Sequence, residues 1–163
     1  MAVKAVLIHY LEQLEKLVAK VSDEVFEQSL TDDMFPFAMQ VKIAANFAMR
    51  GYCPLLGNPV ISFQEQDNTR VAVARQLART RHYLHAQPEV TVLDPDVLLS
   101  DTAGFAQVSL PQPEFIHHYI LPNFFFHISM AYAIAKLQGE PVSKADFDGY
   151  HAYPLGFSFI PSQ

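Results

Sequence analysis

The sequence predicts an all-α domain built on four helices. Three observations carry that reading. Apolar residues recur at helical spacing in four separate stretches, and proline or glycine stands between them. The 163 residues suffice for one domain with its own core. Half the residues are hydrophobic and 17% are charged, a balance that excludes disorder. We therefore read residues 1–163 as a single helical domain.

The first helix is expected over residues 3–20, with Leu7, Leu11, Leu14, Val18 and Val21 along one stripe. Tyr10 sits beside that stripe and can send its hydroxyl inward. Glu12 and Lys16 face water as a favourable i,i+4 pair. A short turn of helix is expected over 23–29. Thr31, Asp32 and Asp33 suit a helix start, and Pro36 fits only in a first turn, so the second helix is placed at 33–52. Met34, Phe37, Val41, Ala44, Ala45 and Ala48 form its buried side, with Gln40 at the edge. Pro54 and Gly57-Asn58-Pro59 close it.

Ser62 and Glu65 have capping-box spacing, so the third helix is placed at 62–86, burying Val73, Leu77 and Leu84 and ending before Pro88. Residues 88–113 form a long crossover. Asp101–Gly104 reads as a turn and 105–110 alternates like a strand, which suggests a hairpin that acts as a lid. The fourth helix is placed at 115–138, bent at Pro122 and ended by Gly139. Its heptad stripe reads Ile116, Ile120, Asn123, His127, Met130, Ile134 and Leu137. A second apolar stripe reads Leu121, Phe124, Ile128, Ala131 and Ala135. A helix apolar on two sides needs cover on both, from the tail or a partner chain. Ser143 and Asp146 form a second capping box, and 149–163 is an extended tail rich in Tyr, Phe, Pro and Gly.

The formal charge of −6 and the lack of any Lys/Arg cluster argue against nucleic-acid binding. Three histidines, a proline and an asparagine within 115–135 argue for a buried helix rather than a membrane span. The lone Cys53 excludes an intramolecular disulfide and fits a reducing, cytoplasmic location. No HExxH, CxxC, phosphate loop or GxSxG is present.

Asn123 and His127 lie four apart in an otherwise apolar stripe, where polar groups must be paired. Gln40 faces them from the second helix and Tyr10 from the first. Three readings follow. The cluster is a hydrogen-bonded network that fixes register, a pocket for a small, mostly apolar molecule, or a divalent metal site. Imidazole suits zinc or nickel, but amide oxygens are poor partners for such ions, so His127 is the one strong donor. If the chain is an enzyme, His127 is the catalytic base. His117 and His118 precede the bend and are expected to be structural or solvent-facing.

DDMFPFAMQV in the second helix and HHYILPNFFFHISMAYAIAKLQG in the fourth resemble a bacterial family of uncharacterised proteins. That family lies within the DinB/YfiT-like superfamily of metal-dependent four-helix bundles. The likeness runs from about Val6 to about Gly149. It implies a DinB-like four-helix bundle with a long crossover between helices 3 and 4, often a homodimer. It also implies a metal-dependent transferase or hydrolase ancestry. The superfamily's metal is held by one histidine of the second helix and two of the fourth; here those places fall on Gln40, Asn123 and His127. The resemblance therefore leaves two further expectations. One is a small-molecule binder at that cluster. The other is a structural or interaction protein on a vestigial metalloenzyme fold.

Overall fold

Leu7, Leu11, Leu14 and Val18 stand one above another and are almost wholly buried, which makes Val3–Lys20 an amphipathic helix, α1. The computed structural model describes residues 2–160. The carbonyls at the end of α1 have no helical partner. Arg70 supplies one: its guanidinium donates to Val18 O and, at 2.6 Å, to Val21 O. A 3-10 turn, Asp23–Glu27, follows and buries Val25 and Phe26.

Helix α2 is Phe37–Leu55, not 33–52 as the capping residues suggested. Phe35 precedes a proline, which disfavours helical backbone there. Pro36 is extended and the helix begins after it. Pro54 sits in the last turn. Helix α3 is Arg70–Ala86, capped by Thr69, whose side chain accepts from Ala72 N at 3.3 Å. The predicted start at Ser62 is wrong for a tertiary reason. Residues 58–69 run as a loop because Lys42, inside α2, holds Glu65 O at 2.9 Å and Asn68 Oδ1 at 3.1 Å. Asn46 adds a bond to Gln64 Oε1 at 2.7 Å.

The crossover does contain a hairpin. Strands β1, Leu98–Ala103, and β2, Ala106–Pro111, pair antiparallel, Ala103 opposite Ala106. The turn is shorter than predicted. Asp101, Thr102 and Ala103 belong to β1, and only Gly104 and Phe105 form the loop, with Gly104 at φ +60.

One long helix, Gln112–Leu137, follows as α4. Its stretch Phe115–Ile120 is π-helical, and Leu121 N–H reaches back to Ile116 O. Pro122 has no N–H to give, and the wider turn ahead of it relieves the ladder where a proline ring would otherwise clash. The extra residue in that turn shifts the buried line. Ile116 and Ile120 are buried, but the line continues through Phe124, Ile128, Ala131 and Ala135. The heptad stripe therefore holds only in part: Ile134 is buried with Ile116 and Ile120, but Asn123, His127 and Met130 lie at the core's edge, and Leu137 is 62% exposed. The second apolar stripe is the inward one.

Gln112–Leu137 is the one described helix long and apolar enough to cross a membrane by length and composition. Here α4 packs chiefly on α2, α2 on α3, and α3 on α1. A short helix α5, Lys144–Asp148, packs on α1, and its Ser143–Asp146 capping box is formed as expected.

Candidate functional site

Gln40 is buried on α2 and meets His127 of α4. His127 Nδ1 lies 2.7 Å from Gln40 Oε1. An amide oxygen can only accept, so Nδ1 carries the proton and Nε2 carries the lone pair. Gln40 Nε2 donates in turn to Phe35 O at 3.1 Å. The imidazole stacks on Phe47, centroids 5.6 Å apart and planes 22° apart. Arg50 lies over Phe47 with its guanidinium carbon 4.3 Å from the ring centroid.

Burial lowers the His127 pKa, the Arg50 charge lowers it further, and the result is about 4. The imidazole is thus neutral at pH 7. A depressed histidine pKa means that the unfolded chain takes up its proton first. Stability from this group is complete above about pH 6.5 and is lost as pH falls toward 4. The gap sets a ceiling of about 3 kcal/mol, which partial exposure reduces to about 2. Denaturant titrations at pH 4.5 and 7 should show that loss shrinking in His127→Gln, which keeps an amide donor toward Gln40. An equal loss in the variant would reject the assignment.

The other two predicted members behave differently. Asn123 turns back on its own helix, and its Nδ2 donates to Tyr119 O at 2.7 Å. It does not bond to Gln40. Tyr10 packs edge-on against Phe125 and Phe147 and beside His9, on the α1–α5 side. No hydrogen bond or ring contact ties it to Gln40, Asn123 or His127 among the described residues. The cluster is therefore a pair rather than a quartet. His117 and His118 are exposed, as expected.

A second polar group escaped the sequence reading. Arg50 Nε donates to Asp101 Oδ2 at 2.7 Å, and its Nη2 reaches Thr102 O at 2.7 Å and Tyr119 Oη at 2.8 Å. The Tyr119 hydroxyl donates to the same Asp101 oxygen at 3.0 Å. Burial pushes the Tyr119 phenol up, against the pull of Arg50. This triad latches the β1–β2 hairpin to α2 and α4. Asp101 read as a turn residue, and Arg50 lies 51 residues away on α2, so no spacing could join them.

The donor set does not fit a zinc or nickel ion. His127 offers one good nitrogen, Gln40 Oε1 is committed to Nδ1–H, and Asn123 has turned its amide to Tyr119 O. Arg50 adds positive charge beside the imidazole. Among the described residues, no group of three or more His, Cys, Asp or Glu side chains gathers anywhere in the fold.

The fold has a solved counterpart. A crystal structure of a DinB family member protein from Shewanella denitrificans superposes with a TM-score of 0.73. The two chains share 21% identity, over 93% of this chain and 92% of that one. This likeness establishes a common, mostly helical fold. No curated protein matches the chain. The family described as a domain of unknown function, DUF1993, matches residues 2–148, and the chain belongs to that family.

Proposed function

We propose that this protein is a non-metal member of the DinB-like fold that acts through association. On this reading, the former metal position has become a packing element. The observation that carries it is the closed chain from His127 Nδ1 to Gln40 Oε1 and from Gln40 Nε2 to Phe35 O. Both amide ends are used internally, which suits register control better than ligand capture. The finer architecture belongs to the same proposal: a single-domain DinB-like four-helix bundle with residues 88–113 as crossover, cytoplasmic, and assembled as a homodimer. The dimer is supported by the outer face of α4, where Phe126 is 50% and Leu137 62% exposed.

Metal analysis of protein purified without a histidine tag tests the reading. The expected result is well under one equivalent of zinc or nickel, unchanged in His127→Ala, with the variant less stable by about 1–3 kcal/mol. Stoichiometric metal that disappears in His127→Ala overturns the proposal and restores the metal-dependent transferase or hydrolase.

A second reading has its own support. With Nδ1 protonated and a pKa near 4, His127 presents a neutral Nε2 lone pair at pH 7. Such a nitrogen suits an acceptor for a small, mostly apolar ligand resting on Phe47 and Phe126, while a pKa near 4 makes it a weak general base at pH 7.

A further inference from the structure

A separate cavity of about 640 Å3 lies between α4, α5 and the C-terminal tail, and shares no residue with the Gln40–His127 pair. That volume is in the range of small-molecule sites. Its walls are aromatic. Tyr132 comes from α4; the rest comes from the tail. Tyr153 lies nearly parallel to both His151 and Phe157, with centroids 6.0 and 5.3 Å away. Phe159 stands edge-on to Tyr153 at 5.5 Å and to Phe157 at 4.9 Å. The strip is anchored at its start. Asp148 accepts from Tyr150 N at 2.8 Å, from His151 N at 3.0 Å and from the His151 ring. Those backbone bonds, first of all, hold the Asp148 carboxyl down at about 2, so the anchor stays ionised at neutral pH.

The cavity also holds Lys136 and Lys144. Lys136 spends one donor on Val142 O at 3.0 Å, and neither lysine forms an ion pair among the described residues. The neighbouring carboxylates are committed elsewhere. Asp146 binds Lys20 at 2.9 Å and Ser143 N at 2.7 Å, and Glu140 accepts from Ser22 N at 2.9 Å. In a chain of net charge −6, two ammonium groups without carboxylate partners among the described residues thus line one aromatic cavity. Phe159 and Ile160 on its rim are 79% and 78% exposed. A flat ring laid there would bury apolar surface and stack, while its anionic substituent reached the lysines.

We infer that this cavity binds a small planar aromatic anion, an aryl carboxylate or aryl phosphate. Fluorescence titration of the full chain with anilinonaphthalene sulfonate, and with the neutral phenylnaphthylamine, tests it. One saturable sulfonate site per chain is expected. Its affinity should fall roughly tenfold or more in the double variant Lys136→Gln/Lys144→Gln. The neutral probe should bind that variant as it binds the parent, and Tyr153→Ala should weaken both probes. Circular dichroism should stay constant, since both lysines are at the surface. Competition by naphthoate or by naphthyl phosphate identifies the anion. Sulfonate binding indifferent to the lysines or to Tyr153, uptake that never saturates at one per chain, or displacement by neither competitor overturns the inference.

Discussion

Lys42→Met should destabilise the protein by about 3 kcal/mol and expose the 58–69 loop to proteolysis. Lys42 is only 1% exposed, within a helix whose other buried residues are mostly apolar. Burial pushes its ammonium down, with Asp67 and Glu65 pulling it back up. Its three donors are spent on Glu65 O, Asp67 O and Asn68 Oδ1. Methionine keeps the stem and removes all three bonds, so the Glu65 and Asp67 carbonyls must find water or the loop must leave. The loop carries Phe63, which packs edge-on to Tyr83 at 6.0 Å and lies under Arg79 at 4.7 Å, so its departure also uncovers α3. Denaturant unfolding with limited proteolysis reads both effects. A variant within about 1 kcal/mol of the parent, cut no faster in this loop, would show that the ammonium is dispensable.

Gly51→Val should cost about 3 kcal/mol or more by overpacking. A Cβ at Gly51 would lie 2.5 Å from Ile120 Cγ2, inside any normal contact. Ile120 closes the π-helical run and is fully buried, so it has nowhere to move. The missing side chain is what lets α2 approach α4 at that turn. Gly51→Ala gains about 1 kcal/mol of helix propensity yet should still be a net loss. Ile120→Ala alone should cost about 2–5 kcal/mol. Combining it with Gly51→Ala should recover about 1 kcal/mol or more relative to additivity, because the new methyl enters the space left behind. Additive losses in the double variant would mean that the two residues do not meet.

The legible and illegible parts of this chain divide by the range of the interactions involved. Helix α1 was readable to within a residue or two, because one uninterrupted apolar stripe dictates it. The Ser143–Asp146 cap and the turns at Gly57 and Gly139 were readable for the same local reason. The start of α3 was misread: Ser62 has the right neighbours for a cap, but a lysine 20 positions earlier in sequence, Lys42, ties the following loop open.

The candidate site was half legible. Gln40 and His127 do meet, since burial demands a partner for each and few other groups are near. Asn123 and Tyr10 went elsewhere, Asn123 to a carbonyl of its own helix and Tyr10 to an aromatic group on another side of α1.

The sequence by itself determined that this is a helical protein, roughly where its long helices run, and that one imidazole must be paired inside it. These follow from periodicity and from the cost of an unpaired buried polar group. The tertiary structure decided which side of α4 faces inward, since one π-helical turn ahead of Pro122 rotates the helix by a residue and carries His127 from the middle of the core to its edge. It also decided the Arg50–Asp101–Tyr119 latch and the Lys42 tether, because a charge finds its partners in three dimensions and leaves no mark of them in the order of the chain.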